Sequence, residues 1–166
     1  GFTNGISPLE MCSAYSTFGN YGEHIDAVCY TTVTNKKGDV IISSDPNVTK
    51  VYDEEVASLV VDVLHSVVFG GGASKAQIKS QDCAGKTGTT SDNYDLWFCG
   101  LTPKYSATVW IGSDTNLYIN GSSSSNATKV FKLVMEEVGK LDEKQLFEKK
   151  GEFVTVSIDS RTGLLS

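Results

Sequence analysis

Five consecutive residues, 86–90 with the sequence Lys-Thr-Gly-Thr-Thr, combine one cation with three hydroxyl groups. The residues before them are strand-like, and a short polar turn leads from them into a second strand-like run. A fixed cation, hydroxyl donors and backbone N–H groups are the partners that a carboxylate needs. The pattern therefore predicts a site for an anionic ligand, and a peptide's terminal carboxylate is the first candidate.

Strand alternation limits how one ligand can reach these groups. Successive side chains of a strand point to opposite faces, so Thr87 and Thr89 share one face and Lys86 lies on the other. A single ligand can contact all three only along the edge of the strand, and we expect a cleft there. Taken alone, the segment also fits an ordinary threonine-rich strand with a solvated lysine, so its context must decide.

A second interpretation of the same residues is phosphate binding, because Gly85-Lys86-Thr87 looks like the end of a phosphate-binding loop. That motif requires a glycine five residues before Gly85, where this chain has Ser80. Cys83-Ala84 is strand-like, and a turn follows the segment instead of a helix whose N-terminus could hold phosphate. Phosphate or nucleotide binding is therefore the weaker alternative.

The bulk composition restricts the kinds of partner. The chain has 166 residues, with 14 Lys and Arg against 20 Asp and Glu, so its formal net charge is −6. This balance argues against nucleic acid or an anionic membrane surface as a partner. No window approaches the ~20 apolar residues of a spanning helix and no leader opens the chain, so we expect a soluble segment without membrane contact.

The cysteines and histidines lack the spacing of a metal site. They are Cys12, Cys29, Cys83, Cys99, His24 and His65. No C-x-x-C pair occurs, so we expect neither a metal nor another cofactor. Each cysteine lies in an apolar or strand-like run, which favours buried free thiols, with two disulfides as the alternative.

The elements that must position residues 86–90 begin with a helix and a hairpin. Ser7, Pro8 and Glu10 form the pattern of a capping box with proline at the first helical position, and Gly19-Asn20 predicts the end of that helix. The predicted hairpin has strands at 26–34 and 40–42 and an exposed turn at 35–39.

A second helix is predicted from Asp53 to the glycines at 70–72, with His65 packed beside or at the rim of its apolar face. Apolar residues at spacings of three and four predict its buried stripe: Val56, Leu59, Val60, Val63, Leu64 and Val67. The second half of the chain predicts three strands of an antiparallel meander, at 82–90, 94–101 and 106–114.

The remaining residues predict a covering helix and a tail. A serine-rich loop at 119–126 precedes a third helix, whose stripe is Ala127, Val130, Phe131, Val134 and Val138. The charged run 140–150 is most simply a solvated connector, and 153–159 alternates like a final strand. The predicted fold class is α+β, an antiparallel sheet with packed helices.

Several segments share the order and spacing of one known family. They are 5–11, 14–15, 17–18, 86–90, 95–103 and 109–112. With them, the chain resembles the transpeptidase domain of class A penicillin-binding proteins, which belong with the β-lactamases. The resemblance covers nearly the whole chain but only the second half of the family's domain. It implies that 1–139 is the C-terminal portion of that domain and that 140–166 is a charged connector and terminal strand beyond it.

The resemblance implies a role for each residue of the segment. In this family a serine in S-x-x-K attacks the D-Ala-D-Ala bond of a peptidoglycan stem peptide, and K-T-G lines the cleft. Lys86 would then tune the proton relay and attract the carboxylate, which the Thr87 and Thr89 hydroxyls would bind. The Thr89 backbone N–H would be one oxyanion donor. Gly88 and Thr90 would complete the segment that binds substrate and β-lactams.

The chain departs from the family's pattern at the nucleophile, because no Ser-x-x-Lys occurs in it. The S-x-N matches at 91–93 and 124–126 follow K-T-G instead of preceding it, and we interpret both as coincidences. The same holds for the hydroxyl and lysine at Thr34 and Lys37, in a predicted turn. Gly70-Gly71-Gly72 stands where the family usually has Gly-Thr-Gly, so contacts of that loop do not carry over.

These features predict an inactive part of an extracytoplasmic D,D-transpeptidase whose membrane anchor lies outside these residues. Its implied partners are stem peptides ending in D-Ala-D-Ala, β-lactams and the missing N-terminal half of the domain, without which an apolar face would be exposed. The alternative is a non-catalytic module that binds cell-wall peptide or is completed by a partner chain.

Overall fold

The computed structural model describes residues 5–115, 117–119 and 123–165. The helices are α1 Pro8–Gly19, α2 Glu54–Phe69 and α3 Ser124–Gly139. The strands are β1 Glu23–Ile25, β2 Thr32–Thr34, β3 Val40–Ser43, β4 Val48–Lys50, β5 Ala84–Thr89, β6 Asp95–Leu101 and β7 Ser106–Gly112. Short 3-10 turns lie at Ser74–Ala76 and Ser91–Asn93.

The start of α1 is fixed by the capping box that the sequence predicts. The Glu10 backbone N–H donates to Ser7 Oγ at 3.2 Å, and the Ser7 N–H donates back to Glu10 Oε2 at 2.8 Å. Pro8 occupies the first helical turn, and Asn20 caps the other end. The Ser7 hydrogen bonds favour the carboxylate, so they lower the pKa of Glu10.

A three-stranded antiparallel meander forms the main sheet, in the order β5-β6-β7, as predicted. Its register places Gly88 opposite Trp97 and Phe98 opposite Val109. Gly100 in β6 leaves room for the helix above it, because a Cβ there would lie 2.5 Å from Cε2 of Phe131. The sequence-based boundaries were one or two residues too long.

Helices cover both faces of this sheet. On one face α3 packs with the Phe131 ring edge-to-face on Phe98, at 4.8 Å between centroids, and both side chains are fully buried. On the other face α1 lies beside β6 and β7, with Tyr15 packed against the buried cluster that includes Leu101, and with Cys12 Sγ 3.3 Å from Ser106 Oγ. The predicted α+β class is therefore confirmed.

The predicted faces of two helices need correction. The buried residues of α2 are Ala57, Ser58, Val61 and Val68. The predicted stripe is right for Leu64 and Val67, which pack against buried clusters. It is wrong for Val56, Leu59 and Val63, which are exposed, Val63 by 64%. In α3 the prediction holds for Ala127 and Phe131 and fails for Val130 and Val134, because Met135 and Gly139 are buried in their place.

The peripheral strands also differ from the prediction. The hairpin forms between β2 and β3, but its first strand spans only Thr32–Thr34, and the pairing of β1 with β4 was not predicted. Residues 153–159 do not form a strand and make only an isolated bridge between Ile158 and Leu165. Helix α3 begins inside the predicted loop 119–126, of which residues 120–122 lie outside the described ranges.

Candidate active site

The candidate site begins at the open edge of β5. Among the described residues this strand pairs only with β6. The Thr90 backbone N–H donates to the Asp95 carbonyl oxygen at 3.1 Å, so these two residues form a hydrogen-bonded pair. Hydrogen-bonded and non-hydrogen-bonded residue pairs alternate along an antiparallel ladder. The N–H and C=O groups of Thr87 and Thr89 therefore point away from β6, into open space.

A cleft of about 510 Å³ lies beside this edge, where the sequence predicted one. One wall is residues 86–90, and the opposite wall includes Met11 and Tyr15, one helical turn apart on α1. Trp97 and Cys99 of β6 form the floor. The structure therefore brings all five predicted site residues to one cleft.

Lys86 is the only cation among the described residues that line the cleft. Its side chain is exposed, and Nζ donates to the outward-facing Thr87 carbonyl at 3.1 Å. None of the ion pairs between described residues includes Lys86. Its ammonium group is thus available to an anion lying along the edge of β5.

Asp95 fixes the end of the β5 wall, a role that sequence reasoning missed. Its Oδ2 accepts a hydrogen bond from the Thr90 hydroxyl at 3.1 Å, and its backbone N–H donates to the same hydroxyl oxygen at 2.9 Å. Its Oδ1 accepts from the Trp110 indole N–H at 2.8 Å. The available signal was the spacing of Thr90 and Asp95 across a tight turn, which places a hydroxyl opposite a carboxylate.

The floor and far wall of the cleft are uncharged near neutral pH. Burial, and then the neighbouring Cys99 thiol, raise the pKa of Tyr15. Burial likewise raises the pKa of Cys99, which is only 4% exposed. Sequence reasoning assigned no role to these two residues, because their approach depends on how α1 crosses the sheet.

The S-x-N and hydroxyl-lysine matches are not part of the cleft lining. Residues 91–93 form the 3-10 turn after β5, with positive φ angles of 62° at Asp92 and 52° at Asn93. Residues 124–126 form the first turn of α3 instead of the predicted loop, and 34–37 lie in the β2–β3 hairpin. None of these residues lines the cleft.

Phosphate binding through Gly85-Lys86-Thr87 finds no support in the geometry. The three residues lie within β5, and the element that follows is a 3-10 turn instead of an α-helix. Gly85 is buried, and a Cβ there would lie 2.6 Å from the Phe98 ring, so close packing of the sheet explains this glycine.

The thiols and histidines are dispersed through the described part of the chain. No group of three or more potential metal ligands occurs there. All four cysteines are free, with Cys83 and Cys99 buried and Cys12 half-buried, but Cys29 is exposed, contrary to prediction. His65 stacks on Phe69 at the rim, as predicted. None of the described helices is long and apolar enough to cross a membrane.

The sequence matches a known protein family. The model of the penicillin-binding protein transpeptidase domain matches residues 1–136. Penicillin-binding protein 1A of Clostridium botulinum is 39% identical over 163 residues, which are 97% of this chain and 20% of that protein. Penicillin-binding protein 4 of Bacillus subtilis is 40% identical over 115 residues, 69% of this chain and 18% of that protein. The chain thus spans about a fifth of the length of these relatives.

Solved structures share the fold. Penicillin-binding protein 1A from Haemophilus influenzae superposes with a TM-score of 0.80 at 22% identity, over 97% of this chain and 30% of that one. The PonA1 protein from Mycobacterium tuberculosis in complex with penicillin V gives 0.74 at 24% identity, over 86% of this chain and 41% of that one.

Proposed function

We propose that β5 forms one wall of a D,D-transpeptidase active site, because this chain belongs to the family of penicillin-binding protein transpeptidase domains. In the proposed reaction a serine attacks the carbonyl carbon between the two D-alanines of a stem peptide. The terminal D-alanine leaves and an acyl-enzyme forms. The amine of a neighbouring stem peptide then displaces the serine, whereas a β-lactam acylates the serine and remains attached.

The substrate's terminal carboxylate binds to residues 86–90. The Lys86 ammonium supplies the positive charge, and the Thr87 and Thr89 hydroxyls supply directed donors along the edge of the strand. Gly88 lets the ligand approach the backbone, and the Thr90 hydroxyl, held by the Asp95 carboxylate, ends the wall. Lys86 also shapes the electrostatics of the proton relay, because it is the one cation among the described residues that line the cleft.

The observation that carries this proposal is the outward-facing N–H of Thr89. It lies on the open edge of β5 and lines the cleft with no partner strand among the described residues. A backbone donor held by strand pairing needs little reorganisation when negative charge develops on the carbonyl oxygen. Loss of one such donor costs ~10²- to 10³-fold in rate. The second donor is the N–H of the nucleophilic serine.

The serine itself lies outside these 166 residues, since no S-x-x-K occurs among them. Residues 1–139 then act as the C-terminal portion of the domain and 140–166 as the connector beyond it. The exposed α2 side chains Val56, Leu59 and Val63 fit this arrangement, because the rest of the domain would cover them. By itself the chain is inactive.

The same reasoning assigns the location and the ligands of the protein. D-Ala-D-Ala stem peptides occur outside the cytoplasmic membrane, so the site acts there, with the membrane anchor in a segment beyond this chain. The ligands are stem peptides and β-lactams. The transferred acyl group is carried by the serine, so no cofactor is needed.

The proposal is tested by the intact mass of the chain after incubation with a fluorescent penicillin. The chain is incubated alone and together with the upstream half of its domain, which carries S-x-x-K. We expect no adduct on the chain alone and an adduct on the upstream half only in the mixture. A covalent adduct on this chain alone would reveal a nucleophile within it and overturn the proposal.

A further inference from the structure

Residues 143–150 form a segment that we call the strap, and they lie beyond the residues that the family model matches. The sequence predicted a solvated connector here. The strap has no regular secondary structure, but it lies along the start of β5 and along α2 and is held by polar and apolar contacts. Its position is therefore specified by the fold.

Two side chains just before β5 hold the strap. Gln81 is 4% exposed, and its Nε2 donates to the Glu143 carbonyl at 2.9 Å, while its Oε1 accepts from the Gln145 N–H at 2.9 Å. Asp82 donates its backbone N–H to the Gln145 carbonyl at 3.2 Å and accepts from the Phe147 N–H at Oδ2, at 3.3 Å.

The other carboxylate oxygen of Asp82 faces the domain. Oδ1 accepts from the Cys83 backbone N–H at 3.1 Å and lies 2.9 Å from Nε2 of His65 on α2. The Asp82 side chain is 12% exposed. One carboxylate thus joins the strap, α2 and the residue before β5.

Apolar and polar contacts anchor the rest of the strap. Phe147 packs against the buried cluster that includes Ala84, the first residue of β5. Further along, the Lys150 N–H donates to Ser58 Oγ at 3.0 Å, and the Lys150 ammonium lies 3.7 Å from the centroid of the Tyr21 ring. The strap is therefore fixed at both ends.

We infer that the strap positions the β5 wall, with Gln81 and Asp82 as positioning residues for acylation. This inference rests on the proposed function. β5 has a strand neighbour on one side only among the described residues, so the placement of Lys86 and Thr89 depends on how the strand's start is held. A shift of about 1 Å in a reacting group can cost 10²-fold in rate. A weakened anchor at residues 81–82 therefore slows acylation.

The test measures the acylation rate constant with a fluorescent penicillin in the complete transpeptidase that contains this chain. Asp82→Ala and Gln81→Ala each remove strap contacts, and we expect a decrease of about tenfold or more in the rate constant. Asp82→Asn keeps one carbonyl oxygen and is expected to lie between Asp82→Ala and wild type. The matched control is Asp62→Ala, which removes a half-exposed ion pair between α2 and Lys149 of the strap. That pair is separate from the contacts that Gln81 and Asp82 make with the strap, so the control is expected to acylate at the wild-type rate.

The acylation rate constant and the labelled fraction together distinguish a positioning role from an effect on folding. A purely structural role would lower the labelled fraction and leave the rate constant of the folded molecules unchanged, and that result overturns the inference. If Asp82→Ala does not fold, the test uses Asp82→Asn, which retains the shape of the side chain. Variants that acylate as fast as wild type overturn the positioning role alone. A wild-type protein that takes no label overturns the proposed function and the positioning role with it.

Discussion

The indole N–H of Trp110 donates to Oδ1 of Asp95 at 2.8 Å, which connects β7 to β6 at a residue that lines the cleft. The other carboxylate oxygen accepts from the hydroxyl of Thr90, directly after β5. One side chain therefore connects all three strands at the end where the candidate site lies. Gly112 leaves room for the indole, since a Cβ there would lie 2.3 Å from Cζ2 of Trp110.

Replacement of Asp95 by Ala should lower the free energy of unfolding by about 1–3 kcal/mol, because the Trp110 donor loses its partner. Asp95→Asn keeps one acceptor and should cost less. Urea unfolding measures both changes, and Asp114→Ala, at an exposed residue of the loop after β7, is the control. If Asp95→Ala lowers the free energy of unfolding no more than Asp114→Ala does, the hydrogen bonds described for Asp95 are contradicted.

Gly100→Ala should destabilise the domain by about 1–3 kcal/mol, since the added methyl group would lie 2.5 Å from the Phe131 ring and 2.7 Å from the Phe98 ring. The matched control is Gly72→Ala, where a Cβ meets no atom within 4 Å. Thermal and urea unfolding of the two variants compare the sites. Equal stability of the variants would mean that α3 does not pack on β6 as described.

The decrease in the free energy of unfolding at acidic pH should depend on Asp142. Hydrogen bonds from Lys104, and then from Tyr105, lower the pKa of Asp142 below its ordinary 3.8. A carboxyl group with a lowered native pKa stabilises the fold above its unfolded pKa, and this contribution is lost as pH falls through the native pKa.

We therefore expect the stability difference between wild type and Asp142→Asn to shrink from about pH 5 to about pH 2. Urea unfolding at several pH values measures it, and Asp114→Asn controls for the general loss of a surface charge. A difference that stays constant over this range would show that the Lys104 and Tyr105 contacts do not form.

The four thiols should differ widely in reactivity. Burial raises the pKa of Cys83 to about 11, so little thiolate forms at neutral pH, whereas Cys29 is exposed. Iodoacetamide should modify Cys29 first and Cys83 only after unfolding, as followed by peptide mass spectrometry. Denatured protein, in which all four cysteines should react, is the control. Equal native rates at these two cysteines would refute the described burial.

The parts of the fold that were predicted correctly are encoded locally. Ser7, Pro8 and Glu10 determine the start of α1 within four residues, and tight turns with alternating strands determine the β5-β6-β7 meander. The pairing of β1 with β4 joins His24 to Thr49 across strands of three residues, which local patterns cannot reveal. Residues 154–156 alternate between apolar and polar side chains as a strand does, but they remain exposed, because a strand also requires a partner strand.

The errors in the helix faces have a different physical cause. α2 is apolar around most of its circumference, so the sequence allows one buried face that includes Val61 and another that includes Val63. The tertiary packing buries Val61 and leaves Val63 exposed. In the candidate site, the Lys-Thr-Gly-Thr-Thr segment was found because its residue types suit an anion. Asp95 was not assigned, although its spacing from Thr90 across a tight turn was a local signal. The roles of Tyr15 and Cys99 depend on the path of α1 across the sheet, which the sequence does not reveal.

The most direct test of the account concerns the N–H of Thr89. Proline lacks this donor and is tolerated on an edge strand where the N–H faces outward, whereas Thr89→Val keeps the N–H and loses only the hydroxyl. In the complete transpeptidase we predict that Thr89→Pro slows acylation by a fluorescent penicillin by ~10²- to 10³-fold, with a smaller loss for Thr89→Val. Thr89→Pro that folds and acylates at the wild-type rate would contradict the assignment of this N–H as an oxyanion donor.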